Sequence, residues 1–135
     1  PFFPEPGEPG TRGDDLRDLF AAVKVWVGDS CLAPRVDGGV MVKYVSDRCP
    51  EVTGRGGFLI HPYVEGIHDG TCWNDGTEMV TWPMGDWSKL KDQIDHYLTH
   101  DDEREKVAAA GRDRTMRDHV YSVRMAEVLA EVTVQ

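Results

Sequence analysis

The stretch from Ser46 to Pro62 constrains the fold of this chain more than any other. Pro50 has no N–H to donate and is tolerated only in the first turn of a helix, where the amide groups are unpaired. Asp47 is therefore predicted as the N-cap, since this makes Pro50 the third helical residue. The positive φ that ends a helix can be adopted by each of three glycines that follow, Gly54, Gly56 and Gly57.

A buried strand is predicted directly after this short helix. Phe58, Leu59 and Ile60 form a continuous apolar run between turn signals, which indicates a parallel strand covered on both faces. In α/β proteins anionic ligands bind where a helix N-terminus adjoins such a strand. The residues of the helix and its flanks, Ser46, Asp47, Arg48, Glu51, Gly54, Arg55 and Gly56, are the candidates for such a site. The alternative for Glu51 is a solvated position on the helix, and that for Arg48 and Arg55 is surface charge without a ligand.

The rest of the chain supplies two more strands and four more helices. A helix over Leu16–Val23 is predicted to run into a strand that ends at Val27, and a third strand is predicted over Glu78–Trp82. Between them, His61–Glu78 is rich in Gly, Asp and Asn and is predicted as a long surface loop. Three helices follow, with predicted caps at Asp86, at Asp101 or Asp102, and at Ser122; the stripe predicted for the last is Met125, Val128, Leu129 and Val132.

Alternating strands and helices followed by helices predict an α/β fold, with a small parallel sheet flanked by helices. Residues 1–13 hold four prolines and three glycines and are predicted as a flexible linker or tail, which leaves 14–135 as one domain. The chain does not begin with Met, and a three-stranded sheet is small, so we expect a piece of a longer protein whose sheet continues at one edge.

Composition and charge exclude several classes of protein. No run approaches the roughly 20 apolar residues of a membrane-spanning helix. The net charge of −9 argues against binding a nucleic-acid backbone. Residues 35–55 nevertheless carry four bases and three acids, which makes this the one stretch where a phosphate would meet local positive charge. Three cysteines without disulfide spacing, and no signal peptide, predict a cytoplasmic protein.

Several segments together resemble a known family. Glu51, Gly54, Gly56-Gly57 and the apolar strand resemble the glutamate–glycine signature of group 1 glycosyltransferases with the GT-B fold of two Rossmann-like halves. Three later segments are similar to the C-terminal end of these enzymes, particularly their branch related to spore-maturation proteins: Trp87 to Leu98, Asp101 to Arg112, and His119-Val120-Tyr121-Ser122-Val123-Arg124.

The resemblance implies that the chain is much of the C-terminal, donor-binding half of such an enzyme. Glu51 would accept hydrogen bonds from the ribose of a nucleotide-diphosphate sugar, and Ser46, Asp47 and Arg48 would lie near the diphosphate. The acceptor-binding half would lie N-terminal and is missing here. No metal and no cofactor are expected, because helix N–H groups and arginines stabilise the leaving diphosphate in this fold. Lys43 replaces a second glutamate that many members carry.

Alternatives remain at several positions. Asp29 and Ser30 follow a strand at its carboxyl end, where ligands bind in open sheets, but a plain turn is the alternative. Tyr44 is a candidate for stacking on a base or for packing, and His61 for the donor cleft. A metal site built from His61, His68 and Cys72, with Asp69 beside them, matches no common zinc spacing. A non-catalytic nucleotide-binding or structural module is the alternative function. The base, the sugar, the acceptor and the stereochemical outcome stay open.

Overall fold

The computed structural model describes residues 13–28 and 46–133. Within these ranges three short parallel strands form one sheet, in the order β1-β2-β3, and five helices accompany it. The predicted α/β class with a small parallel sheet is confirmed. In chain order the elements are α1 (Gly13–Ala22), β1 (Trp26–Val27), α2 (Arg48–Gly54), β2 (Leu59–Pro62), β3 (Val80–Trp82), α3 (Trp87–Thr99), α4 (Asp101–Asp118) and α5 (Tyr121–Thr133).

Helix α2 begins and ends where its sequence predicts. Pro50 is its third residue, and Asp47 precedes its first. Asp47 makes no side-chain capping bond, however; the Oγ atom of Ser46 accepts the Arg48 N–H instead, at 3.2 Å. At the other end, the N–H of Gly57 donates to the Val52 carbonyl and that of Gly56 to the Thr53 carbonyl, with Gly56 at φ +82°. This is the Schellman ending that glycine makes possible.

Strand β2 lies in the middle of the sheet and is buried on both faces. Leu59 and Ile60 pair with Trp26 and Val27 of β1, and Ile60 pairs with Val80 of β3. Because successive side chains of a strand point to opposite faces, neighbouring residues enter different cores. One core contains Phe20, Cys49, Val52, Leu59, Trp73 and Met79; the other contains Phe58, Ile60, Val80, Trp82, Leu90 and Val107.

The segment between β2 and β3 is packed, and the prediction of a surface loop there is wrong in two respects. The strand continues through His61 and Pro62, both fully buried. Further along, Trp73 is only 2% exposed and enters the core beneath α2. The tight course of this segment is fixed by local hydrogen bonds, including one from the Thr81 N–H to the Asp75 carboxylate at 2.7 Å. The polar composition of this segment does not indicate that one large aromatic side chain, Trp73, anchors it in the core.

Helix boundaries and faces differ from the prediction at several points. Helix α1 begins at Gly13, so Asp14 and Asp15 lie in its first turn. Helix α4 begins at Asp101 itself, and Ser122 lies inside α5, which begins at Tyr121. The residues of the predicted apolar stripe of α5 are each more than half exposed. None of the helices in the described ranges combines the length and apolar character needed to cross a membrane.

Candidate functional site

A groove of about 740 Å³ lies between α2 and the junction of α4 with α5. We call it the Glu51 groove. Its α2 wall consists of Asp47, Pro50, Glu51, Gly54 and Arg55. Its opposite wall consists of Thr115, Met116, His119, Val120, Tyr121 and Arg124. Four of the seven predicted ligand-binding positions, Asp47, Glu51, Gly54 and Arg55, therefore line this groove, and the second wall was not predicted.

Buried hydrogen bonds hold the two walls together. The hydroxyls of Thr53 and Thr115 lie 2.7 Å apart, and the indole Nε1–H of Trp73 donates to Thr115 Oγ1 at 3.1 Å. Gly54 lets the helices approach, since a Cβ atom there would lie 3.2 Å from Thr115 Cγ2. Both threonines are nearly inaccessible to solvent, so removal of the Thr115 hydroxyl would leave the buried indole N–H of Trp73 unsatisfied. The shape of the groove is thus fixed by the packing beneath it.

Glu51 is the acidic centre of the α2 wall. Its carboxylate accepts a hydrogen bond from Arg48 Nη1 at 2.8 Å and lies 3.7 Å from Arg55 Nη1, and its side chain is 30% exposed. An ionised carboxylate only accepts hydrogen bonds and has several lone pairs, so the exposed part can receive two neighbouring hydroxyls. A cis-diol is the simplest ligand group that matches this capacity.

The two arginines beside Glu51 are held differently. Arg55 Nη1 also donates to the Glu51 carbonyl at 3.2 Å, and its guanidinium lies over the Phe20 ring, 5.4 Å from the ring centre. Arg48 is 60% exposed and lines a separate cavity that β1 also borders. Arg55 is therefore fixed against the protein, whereas Arg48 can follow a ligand at little cost, because an exposed ion pair contributes little stability.

The other predicted residues lie in varied positions. Asp47 is exposed on the groove, whereas Ser46 is buried and bonds to the backbone of α2. Gly56 lies at the helix end and does not line the groove, and His61 lies in the core. Three candidates, Asp29, Ser30 and Tyr44, lie outside the described residues, as does Lys43.

Sequence reasoning missed the residues that form the second wall. Tyr121 is 90% exposed beside the groove, and the side chains of His119 and Arg124 meet at its edge. All three belong to the segment His119-Val120-Tyr121-Ser122-Val123-Arg124, which carries part of the family resemblance but contains none of the predicted ligand-binding residues. The spacing of one histidine, one tyrosine and one arginine at the start of a helix was the available signal.

A second cluster of polar side chains is buried between α2, β2 and the segment that follows β2. Cys49, His61 and His68 place one potential ligand atom each within 4.8 Å of the others. All three side chains are at most 3% exposed. Cys49 thus takes the place that the sequence-based metal hypothesis gave to Cys72. Burial is the main cause of the raised pKa of the Cys49 thiol, about 12, so this thiol is protonated at neutral pH.

Hydrogen bonds around the two histidines bear on what this cluster can bind. The Val64 N–H donates to His68 Nδ1 at 3.0 Å, so neutral His68 carries its proton on Nε2. His61 Nδ1 lies 2.8 Å from the Pro62 carbonyl and must carry a proton to bond to it. His68 Nε2 therefore presents a proton rather than a lone pair, whereas a histidine that binds a metal usually donates its other N–H. The arrangement favours two neutral imidazoles, whose ring centres lie 5.5 Å apart, over a metal site.

These buried imidazoles predict a pH-dependent stability. Burial is the main cause of the lowered pKa of His68, about 4, and nearby His61 adds to it. In the unfolded chain this pKa returns to about 6.5, so the unfolded state binds the proton first as the pH falls. The stabilisation is present above pH 6.5 and is lost toward pH 4, with a slope of at most about 1.4 kcal/mol per pH unit for this group.

Urea unfolding at pH 7, 6, 5 and 4 measures this slope. His68→Asn keeps an acceptor for the Val64 N–H and is expected to flatten the dependence. The matched control is His96→Asn, since His96 is partly exposed and paired with Glu103. An unchanged slope in His68→Asn would assign the pH dependence to other groups.

Known proteins resemble this chain in family sequence and in three-dimensional fold. A family profile described as glycosyl transferase-like matches residues 8–130. Among solved structures, sucrose-phosphate synthase from Thermosynechococcus elongatus matches with a TM-score of 0.66 and 15% identity. The match covers 93% of this chain but 30% of that one, so the chain spans less than a third of the synthase. No curated protein matches significantly.

Proposed function

Because the chain belongs to the glycosyl transferase-like family, we propose that it is the donor-binding part of an enzyme that transfers a sugar from a nucleotide-diphosphate sugar to an acceptor. The family match and the shared fold confirm the resemblance to one half of a group 1 GT-B glycosyltransferase. We also propose that the enzyme belongs to the branch related to spore-maturation proteins and that it is cytoplasmic.

The observation that carries the proposal is the setting of Glu51. It is a half-buried carboxylate on the wall of a groove, and two guanidinium groups flank it. The carboxylate suits a ribose diol, and guanidinium groups suit a phosphate, which they can contact through two parallel hydrogen bonds. Ribonucleotides carry a diol and a diphosphate side by side, and among glycosyl donors the nucleotide sugars contain this unit.

Arginine side chains are the groups that we propose for the diphosphate. Helix α2 has only seven residues, and the Ser46 side chain already occupies the Arg48 N–H at its start. The backbone at this end therefore contributes less than a long helix would. Arg48 and Arg55 supply the positive charge instead. The neighbouring Asp47 can accept a hydrogen bond from a sugar hydroxyl.

The acceptor-binding half is proposed to come from the rest of the parent protein. The described sheet has three strands, and its β1 edge has no partner strand among the described residues. The chain also spans only 30% of the synthase that shares its fold. Donor and acceptor would then meet between the two halves, so that the activity belongs to the whole enzyme and the donor contacts to this part.

The test is a calorimetric titration of the full-length parent with UDP, GDP and ADP in turn, each with and without EDTA. We expect saturable binding of one nucleotide, with an affinity that EDTA does not change, because arginines rather than a metal hold the diphosphate. Elemental analysis of the same sample is the control for residual metal. Failure of all three nucleotides to bind would overturn the donor role and favour a structural module; loss of binding in EDTA would overturn the metal-free mechanism.

A further inference from the structure

His119 has a fixed orientation at the junction of α4 and α5. Its Nε2 atom lies 2.9 Å from the Cys72 carbonyl, and its ring packs on Trp73 with 4.2 Å between ring centres. Its Nδ1 atom lies 2.6 Å from Arg124 Nη2. A guanidinium can only donate, so Nδ1 must accept and the ring proton must be on Nε2, where it bonds to the carbonyl. In this tautomer both ring nitrogens of His119 make a hydrogen bond.

The anchor beneath this ring is itself immobile. Trp73 is 2% exposed, and its Nε1–H is bonded to the buried hydroxyl of Thr115. Burial is the main cause of the lowered pKa of His119, and the nearby guanidiniums of Arg124 and Arg114 add to it. The imidazole is therefore neutral at pH 7 and orients a guanidinium without cancelling its charge.

Arg124 has a competing partner on its own helix. Its Nη1 atom bonds to Glu127 Oε2 at 2.9 Å, one turn further along α5. Both side chains of this pair are about half exposed, so the pair is weak and a phosphate can displace the carboxylate. Without His119, the guanidinium would keep Glu127 as its partner among the described residues and would lie along α5 rather than at the edge of the groove.

We propose that Arg124 binds the diphosphate of the nucleotide whose ribose Glu51 holds, and that His119 is the residue that positions Arg124 for this contact. The proposal rests on the proposed function, since it assigns a further contact in the same groove. Arg124 stands on the wall opposite Glu51. A ligand between the walls would thus meet a carboxylate on one side and a guanidinium on the other.

The phosphate contact is tested by comparing nucleotide with nucleoside. The full-length parent is titrated with UDP, GDP, ADP and the nucleoside of whichever binds best. In Arg124→Gln we expect the affinity for the diphosphate to fall about 30-fold and that for the nucleoside to stay unchanged, because one charged hydrogen-bonded contact is lost. Arg117→Gln is the matched control, since Arg117 is an exposed arginine paired with Asp118 and does not line the groove.

The positioning role is tested by two replacements of His119. In His119→Asn the amide oxygen can accept from Arg124 in place of Nδ1, whereas in His119→Gln the amide nitrogen can reach the Cys72 carbonyl in place of Nε2. Both lose the contact with the Trp73 ring, so both should lower the melting temperature similarly. We expect His119→Asn to keep diphosphate affinity within about threefold and His119→Gln to match Arg124→Gln.

The outcomes separate the two proposals. Diphosphate binding that depends on Glu51 but is unchanged in Arg124→Gln would overturn this inference and leave the donor role standing. Equal affinities in the two His119 variants would overturn the positioning role alone. Absence of binding in the unmodified parent would overturn the donor role and this inference together.

Discussion

Replacing Glu51 with alanine in the full-length parent is expected to weaken binding of the nucleotide more than 100-fold. Two hydrogen bonds from ribose hydroxyls to a charged acceptor are lost, and each contributes on the order of 1.5 kcal/mol or more. The two arginines also lose their acidic partner, which Arg48 contacts at 2.8 Å. Calorimetric titration with the best-binding of UDP, GDP and ADP measures the loss.

Two further variants show whether the carboxylate itself is responsible. Glu51→Gln keeps the shape and one acceptor oxygen, so we expect an intermediate loss of about tenfold. Glu105→Ala removes an exposed glutamate from α4 that does not line the groove, and it should leave the affinity unchanged. Unaltered affinity in Glu51→Ala would remove Glu51 from the site, whatever the other variants do.

Gly111→Ala is expected to destabilise the fold by about 3 kcal/mol, although alanine is the better helix former. Intrinsic propensity alone favours alanine inside a helix by about 1 kcal/mol. In this structure, however, a Cβ atom at Gly111 would lie 2.2 Å from the Glu78 carbonyl oxygen. That oxygen belongs to the backbone just before β3 and cannot rotate away, so α4 must shift. Urea denaturation measures the change in the free energy of unfolding.

The same helix supplies a control for Gly111. Ala109→Gly changes an exposed position of α4 and should cost about 1 kcal/mol, the ordinary penalty of glycine in a helix. Because α4 carries one wall of the Glu51 groove, Gly111→Ala should also lower nucleotide affinity, and Ala109→Gly should not. A Gly111→Ala protein as stable as the unmodified one would contradict this prediction, because it would show that the backbone at Glu78 moves to make room for the added methyl group.

Local structure near the centre of the chain could be predicted because the constraints there are local. The missing N–H of Pro50 fixed the start of α2, and a glycine at positive φ was required to end it. The apolar run at Leu59 required cover on both faces, and both cores are present. Glu51 could be proposed because the residues that carry the family resemblance, Gly54, Gly56 and Gly57, lie close to it in sequence.

The packed loop and the second wall could not be predicted in this way. Trp73 enters the core from a segment whose Gly, Asp and Asn content indicates a surface loop. The contact between Thr53 and Thr115 joins residues 62 positions apart. No local pattern encodes a pair at that separation, because either threonine alone is equally compatible with an exposed helix face.

The sequence by itself determined the α/β class and the limits of α2, since both follow from the conformational needs of adjacent residues, and its resemblance to a known family singled out Glu51. Only the tertiary structure decided which surface faces Glu51. His119 and Arg124 reach the groove because Trp73 and Thr115 anchor the end of α4, and their orientation depends on a carbonyl at Cys72. The physical reason is that side-chain orientation is set by contacts across the fold, whereas helix ends and buried strands are set along the chain.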